Sequence, residues 1–388
     1  MSIKGKAYVV GVYEHPTRKA DDKSLAQLHA ESAKGAIEDA GLSKSDIDAY
    51  FLAGEPPGLN SLSMADYMGL KLRHVDSTDT GGSSYILHVG HAAEAIAAGK
   101  CRIALITLAG RPRSEGMATG TTARAATSAP ESQFEAPFGP ATANMYAMCA
   151  MRHMYEYGTT SEQLAWIKVA ASHHAQHNKN AMLREVVTVE DVLNSPLIAD
   201  PLHRLDCCVI SDGGGAIIVA APEIARTLKR PRVAVIGHGE APKGQMGGHV
   251  DLTYSGAVWS GPAAFAEAGV KPADIKYASI YDSFTITVLM QIEDLGFCEK
   301  GEGGKFVADG NLISGQGRLP FNTDGGGLCN NHPSNRGGLT KVIEAVRQLR
   351  GEAHPAVQVK NCNLALAHGT GGSLGTRHGA ATLIMERE

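Results

Sequence analysis

The chain contains a long internal repeat. Residues 36–47, AIEDAGLSKSDI, match residues 264–275, AFAEAGVKPADI. Both stretches have the pattern of a helix end, a glycine cap and an Asp-Ile pair that leads into a strand. Two further matches occur in the same order: a glycine-rich turn, a helix and a strand at 75–108 and 321–367, then a glycine-rich turn and an apolar strand at 213–221 and 371–385. A repeat this long is not that of a solenoid, so it predicts two similar halves packed together.

Apolar strand patterns alternate with helical patterns in both halves, which predicts an α/β architecture. The alternation stops between residues 111 and 201, where a stretch rich in Ala, Thr, Ser, Gly and Pro precedes several helical segments. Insertions of this length often cover a site. We therefore expect an N-terminal half at 1–228, which includes the 111–201 insertion, and a C-terminal half at 229–388.

Composition excludes several classes of protein. The 388 residues are 43% hydrophobic and 20% charged, with a net charge of −4 and a pI near 6.5, so nothing suggests binding to nucleic acid or to an anionic membrane. There is no run of 18 apolar residues and no signal peptide ahead of the first strand. The seven cysteines show no CxxC spacing, which favours free thiols. These features predict a cytoplasmic protein.

A glycine-rich stretch at residues 322–338, NTDGGGLCNNHPSNRGG, holds one histidine, His332. Pro333 restricts the residue before it, so the backbone of His332 should be extended and rigid. An amphipathic helix is predicted directly afterwards, at 339–349. A glycine-rich loop that presents a polar side chain and opens a helix is a common way to build a site. An ordinary turn with a surface histidine remains the alternative.

Three other histidines, His173, His174 and His177, fall on one predicted helix of the insertion. A metal site is conceivable, but no carboxylate or cysteine is placed with them. We expect a solvated helix face and no metal.

Five motifs carry a resemblance to a known family: PLHRLDCCVISDGGGAIIV at 201–219, YDSF at 281–284, GFCEKGEGGKFV at 296–307, NTDGGG with NHP at 322–333, and AHGTGG at 367–372. With them the chain resembles the thiolase superfamily, specifically thiolases of the sterol carrier protein X type and their lipid-transfer-like relatives. The resemblance implies a five-layer αβαβα fold of two duplicated halves and usually a homodimer, with the strand at 102–108 at a central sheet edge. It also implies a coenzyme A thioester as substrate and no cofactor beyond that coenzyme A.

The nucleophile of the family is absent. A working thiolase has a cysteine where the first half's glycine turn meets its helix, a position that falls at about Gly82 in DTGGSS, residues 79–84. No cysteine precedes Cys101. Ser83 or Ser84 could substitute, but a serine at a helix start is more often a cap.

The polar residues of the family's site persist in part. By resemblance, His332 is the histidine of the Gly-His-Pro motif, which acts as a base and as a donor to the thioester oxygen. His368, in a predicted turn HGTGG at 368–372, falls where classical thiolases have an acid/base cysteine, and Tyr281 falls where the family has Asn or His. We predict that these three side chains line one catalytic pocket. Predicted substrate-binding residues beside them are Gly81, Gly82, Ser83, Gly326 and Gly371.

Three functions remain open at this stage. The first is retro-aldol cleavage of the C–C bond next to a CoA thioester, which needs no thiolate; relatives of this kind act as steroid side-chain aldolases with a small zinc-ribbon/OB-fold partner. The second is an acyltransferase of the thiolase type with an unusual nucleophile. The third is a non-catalytic acyl-CoA-binding subunit of a complex with that partner.

Overall fold

The computed structural model describes residues 2–54, 56–119, 132–139, 141–244, 249–333 and 337–388. The strands are β1 (Tyr8–Glu14), β2 (Ala49–Leu52), β3 (His74–Asp76), β4 (Ile103–Gly110), β5 (Leu197–Ala199), β6 (Leu202–His203), β7 (Gly213–Ala220), β8 (Val233–Lys243), β9 (Tyr277–Ile280), β10 (Leu364–Gly372) and β11 (His378–Arg387). The helices are α1 (Leu25–Ala40), α2 (Ser61–Met68), α3 (Ser84–Ala97), α4 (Ser132–Glu135), α5 (Thr142–Tyr157), α6 (Ser161–Ala175), α7 (Val189–Leu193), α8 (Pro222–Ala225), α9 (Ala257–Ala268), α10 (Thr285–Asp294), α11 (Gly303–Val307), α12 (Gly326–Cys329) and α13 (Gly338–Arg350). None of these helices is long and apolar enough to span a bilayer.

One twisted sheet joins the two halves of the chain. Its strand order within the described residues is β3-β2-β4-β7-β1-β8-β11-β10-β9. The junction is antiparallel, with Tyr8 opposite Ala234 and Val9 opposite Val233. Outward from this junction, β1, β7, β4 and β2 on one side correspond to β8, β11, β10 and β9 on the other. The strand order therefore repeats in mirror image, as expected for a duplicated unit, while the boundary at 228/229 stays a prediction.

The repeated sequence forms the same local structure twice. Helices α1 and α9 end at Gly41 and Gly269, which have φ of 69° and 72°. Such a left-handed C-cap favours glycine because a Cβ would be strained there. A short 3₁₀ turn follows each cap and leads into β2 and β9 respectively.

Two helices form the middle layer of the fold. Helix α3 contacts β4 and β7 of the first half as well as β8, β10 and β11 of the second, and α13 likewise touches strands of both halves. Helix α1 packs on the outer face of the first half-sheet, and α9 packs on that of the second. The layers thus run helix, sheet, helix, sheet, helix, which confirms the predicted αβαβα class.

Three local expectations are wrong. Residues 368–372, HGTGG, are not a turn but continue β10, paired with β11 as far as Gly372 opposite His378. The strand predicted at 102–108 is not at an edge, because β4 pairs with both β2 and β7, and the edge strand on that side of the sheet is β3. Helix α13 has the predicted periodicity, but its polar side is buried too, because it lies between the two half-sheets.

Candidate active site

Tyr281 and His332 form a buried pair. Tyr281 directly follows β9, and His332 lies in the loop after α12. The phenol oxygen is 2.9 Å from His332 Nε2, and the two rings meet edge to face with centroids 5.5 Å apart. The His332 backbone N–H donates to the Ser211 hydroxyl oxygen over 2.9 Å. The loop and the strand end therefore hold two groups that can exchange a proton at hydrogen-bond distance.

Glycines make room for the imidazole on two sides. A Cβ at Gly327 would lie 3.0 Å from His332 Cδ2, and a Cβ at Gly337 would lie 3.2 Å from the same atom. Both distances are tighter than almost all real Cβ contacts. The glycine-rich stretch therefore serves to pack backbone directly against the His332 ring.

The position of the missing nucleophile is filled. A Cβ at Gly82 would lie 2.5 Å from Tyr281 Cε2 and 2.7 Å from Cζ, and it would also collide with the Thr370 carbonyl oxygen. The Tyr281 ring thus occupies the space that a cysteine side chain at Gly82 would need. A side chain at Gly82, the position predicted for the family's nucleophile, and the Tyr281 ring therefore exclude each other.

A cavity of about 110 Å³ opens beside the pair. Tyr281 and His332 line it, together with Thr370 and Gly371 of β10. Its lining also includes Met117, Ala118, Thr119, Thr142, Ala143, Tyr146, Cys207, Cys208, Ile210, Ser283, Phe284 and Gly372. Residues of the 111–201 insertion thus cover a pocket to which the C-terminal half contributes Tyr281, His332 and Thr370.

His368 takes a different place from the one predicted. Its Nδ1 is 2.8 Å from the Thr382 hydroxyl, and its side chain does not line the cavity. Along β10, His368 shares a face with Leu366, whereas Gly369 on the opposite face packs on Ser83. Only its carbonyl oxygen connects it to the pair, because it accepts the Tyr281 backbone N–H over 3.0 Å.

Most of the predicted binding residues pack against residues of the site and do not line the cavity. Gly371 is the one that lines the cavity. A Cβ at Gly81 would lie 3.0 Å from Gly371 Cα, and a Cβ at Gly326 would collide with the Asp282 carboxylate. Ser83 bonds the side chain and the carbonyl of Thr80, which leaves its hydroxyl engaged. Their roles in binding stay predictions.

Burial sets the protonation of the pair. It lowers the pKa of His332 to about 4, with a smaller rise from the Asp282 carboxylate and a smaller fall from the Lys341 ammonium. Burial raises the pKa of Tyr281 well above its usual value. At neutral pH the pair is therefore an uncharged imidazole and an uncharged phenol.

Burial also raises the pKa of all seven cysteine thiols. The pKa of Cys207 reaches about 12, although this residue lines the cavity. None of the thiols is therefore activated as a thiolate nucleophile would be.

Sequence reasoning missed several residues of the site. Thr370 has a buried hydroxyl with no hydrogen-bond partner among the described residues, and it lines the cavity. Tyr146 stacks on Phe284 with centroids 4.4 Å apart and forms an apolar wall. Asp282 is buried next to the pair. Phe284 and Asp282 belong to the YDSF motif, which could have pointed to them, whereas Tyr146 lies in the insertion with no local signal.

The three histidines predicted on one helix are not all solvated, contrary to expectation, and His177 lies beyond the end of α6 at Ala175. His174 is buried, and its Nε2 accepts the Ser314 backbone N–H over 2.9 Å. His177 stacks on His354. Within the described part of the chain, no three His, Cys, Asp or Glu side chains group as metal ligands would.

Known proteins match the chain over nearly its whole length. The model of the thiolase C-terminal domain-like family matches residues 240–387. An acetyl-CoA acetyltransferase of Methanothermobacter thermautotrophicus is 36% identical over 98% of this chain and 99% of its own. A steroid side-chain-cleaving aldolase of Thermomonospora curvata is 35% identical over 90% of this chain and 91% of its own.

A solved structure is similar to this chain as well. The Ltp2-ChsH2(DUF35) aldolase superposes with a TM-score of 0.88 at 33% identity, covering 99% of this chain and 98% of that one. The similarity spans both halves and the loops that build the pocket. The chain belongs to the thiolase superfamily, in its group related to sterol carrier protein 2 thiolases.

Proposed function

We propose that this protein is an enzyme that cleaves the C–C bond next to a CoA thioester by a retro-aldol reaction without a covalent acyl-enzyme. One observation carries the proposal: the Tyr281 ring fills the nucleophile's space at Gly82 while its hydroxyl bonds His332. The aldolases among the relatives support the reaction class. The reaction needs a base, an acid and a donor, all of which the cavity offers.

The reaction takes a β-hydroxyacyl-CoA. Tyr281 accepts the hydroxyl proton while its own proton passes to His332 Nε2, so that neither a free phenolate nor a second base is required. The oxygen's electrons form a carbonyl, the Cα–Cβ bond breaks, and its electron pair becomes a thioester enolate. The unpartnered Thr370 hydroxyl donates to the enolate oxygen. Tyr281 then gives a proton to Cα of the enolate while His332 returns its proton to Tyr281, so both residues end as they began, and the products are a carbonyl compound and a shorter acyl-CoA.

An acyltransferase with an unusual nucleophile is the less favoured alternative. Every thiol has a raised pKa, and the Ser83 hydroxyl is engaged with Thr80. Ser84 accepts the Thr80 backbone N–H and donates to Asp79. Among the described residues neither serine bonds a histidine, so activation as in a Ser–His pair has no geometric support.

A small zinc-ribbon/OB-fold protein is proposed as a partner. The support is the similar solved aldolase, which is a complex of two components, Ltp2 and ChsH2. A homodimer is proposed as well. Edge strand β3 presents exposed Val75, and α2 beside it presents exposed Leu62 and Tyr67. An apolar edge of this kind is a template for pairing with a second copy.

The test is turnover of a panel of 3-hydroxyacyl-CoA esters by the purified chain, alone and with its co-expressed partner, followed by mass spectrometry of both products. His332→Ala should lower turnover on the order of 10²-fold or more, the usual scale for a positioned acid or base. Tyr281→Phe keeps the ring that fills the Gly82 space and removes only the hydroxyl, so it should lose turnover while the free energy of unfolding falls by only the value of one hydrogen bond, about 0.5–1.5 kcal/mol. Acyl-CoA affinity should change little in both variants.

Two outcomes would redirect the assignment. An acyl group found covalently on any side chain after acid quenching would favour the acyltransferase. Tight acyl-CoA binding without cleavage, in the presence of the partner, would favour the non-catalytic subunit.

A further inference from the structure

A buried carboxylate fixes the loop that carries His332. Asp282 follows Tyr281 in the chain and is fully buried. Its Oδ1 accepts the Gly327 backbone N–H over 2.8 Å, and its Oδ2 accepts the Leu328 backbone N–H over 3.1 Å. Two charge-assisted bonds to consecutive amides fix both the position and the direction of the peptide. The strand end that bears the phenol is thus hydrogen-bonded directly to α12, the short helix that precedes the His332 loop.

Gly327 transmits the effect of the Asp282 hydrogen bonds to the imidazole. Gly327 lies between the Asp282 carboxylate and the His332 ring: a Cβ there would be 3.1 Å from Asp282 Oδ1 and 3.0 Å from His332 Cδ2. A shift of the Gly327 peptide therefore moves the surface on which the ring rests. The bond of 2.9 Å between Tyr281 and His332 depends on that surface.

A buried lysine balances the carboxylate. Lys341 of α13 has its Nζ 2.6 Å from Asp282 Oδ1, and both side chains are almost completely buried. A carboxylate left alone at this depth would be costly, and the neighbouring ammonium offsets that cost. Since α13 is in the middle layer, the lysine also connects the pair to both half-sheets.

We propose that Asp282 and Lys341 are positioning residues for His332: the carboxylate holds the loop in register with Tyr281, and the ammonium balances the charge beside the imidazole. The proposal rests on the proposed function for its kinetic consequence only. The charged groups that face the imidazole among the described residues are Asp282 and Lys341, and the phenol of Tyr281 is its titratable neighbour. The Asp282 carboxylate raises the pKa of His332, and the Lys341 ammonium lowers it.

The experiment follows His332 itself. Protein labelled with ¹⁵N-histidine is titrated by NMR, and His332→Gln identifies the His332 signal. Lys341→Met leaves the carboxylate unopposed, so the pKa of His332 should rise. Asp282→Asn keeps the shape and leaves the ammonium unopposed, so that pKa should fall. Lys243→Met is the matched control, because Lys243 is equally buried but bonds the carbonyls of Asp251 and Tyr254.

Opposite shifts of the two variants, with none in the control, would support the proposal; loss of packing alone would move both variants alike. Shifts of the same sign, or no shift in either folded variant, would overturn it. If Lys341→Met does not fold, the double variant with Asp282→Asn takes its place: its pKa should lie above that of Asp282→Asn alone, and an equal value would contradict the proposal.

Kinetic measurements distinguish the positioning role of Asp282 from the proposed reaction itself. Asp282→Asn should lower kcat on the order of 10-fold to 10²-fold, the scale of a reacting group displaced by about 1 Å, with acyl-CoA affinity little changed. A normal kcat would refute the positioning role. If no cleavage is found in the wild-type protein while the opposite shifts hold, the proposed reaction fails and the charge coupling at His332 stands.

Discussion

Adding one methyl group at Gly82 should damage both the fold and the site. In Gly82→Ala the new Cβ lies 2.5 Å from Tyr281 Cε2, whereas ordinary contacts begin at 3.4 Å. If the ring alone gives way, it must move by about 0.9 Å, the difference of these distances. The Thr370 carbonyl blocks the same space and belongs to paired strand β10, so the backbone has little freedom to yield.

The expected cost follows from these contacts. Overpacking of a core by one methyl group costs about 1–3 kcal/mol. A shift of ~0.9 Å also takes the bond between Tyr281 and His332 from 2.9 Å toward a length at which a hydrogen bond is lost, which adds about 0.5–1.5 kcal/mol. We expect the free energy of unfolding to fall by roughly 1.5–4.5 kcal/mol in urea denaturation, and turnover to fall with it.

Gly213→Ala is the control. A Cβ at Gly213 meets only the Thr17 carbonyl oxygen, at 3.4 Å, so this variant should be nearly neutral. A Gly82→Ala protein as stable as Gly213→Ala would refute the reasoning that Tyr281 occupies the nucleophile's space. So would a Gly82→Cys protein that folds normally and takes up an acyl group from acetyl-CoA.

Three further predictions concern the thiols, the assembly and acid stability. Iodoacetamide at neutral pH should leave most activity intact, because Cys207 and Cys208 line the cavity but both have a raised pKa. Any slow loss should disappear in the double variant Cys207→Ala/Cys208→Ala, and an acyl-cysteine adduct would exclude the aldolase. Sedimentation at micromolar concentration should show a dimer that Val75→Asp at edge strand β3 weakens, and a stable wild-type monomer would contradict the proposed pairing. Burial lowers the pKa of several histidines below the unfolded value of about 6.5, so unfolding takes up protons below that pH. The contribution of these histidines to the free energy of unfolding should be fully present above about pH 6.5 and should be lost as the pH drops toward about 4. An unfolding free energy from urea titrations that stays constant over that window would disagree. The histidines concerned are His88, His174, His238, His332, His368 and His378.

The fold is predictable from the sequence because the same pattern of helix end, glycine cap and strand occurs in both halves. Glycine caps at Gly41 and Gly269 and the strands after them are local signals, and local signals can be read from a chain. The edge strand cannot be derived in the same way. Which strand lies at an edge depends on pairing between distant segments, and the apolar run at 102–108 is equally consistent with a central strand, which β4 is.

The site is predictable only in part for a similar reason. Tyr281 and His332 follow strand and loop signals, and they lie together. The prediction for His368 depends on a turn that is in fact strand β10, where His368 lies opposite Thr382 of β11 and bonds its hydroxyl instead of lining the cavity. The filled space at Gly82 involves segments from opposite ends of the chain, so only the folded structure reveals it.

The middle layer has a consequence for how the protein is made. Helix α13 ends at residue 350 and packs against strands that emerge from the ribosome far earlier, including β1. At about 5–20 residues per second, the inner face of the first half-sheet waits on the order of 10 s or more for its cover. During that interval a broad aliphatic surface is exposed to water or to a chaperone. The two halves thus repeat one structural pattern but do not fold independently, and the N-terminal half expressed alone should be retained by chaperones or aggregate.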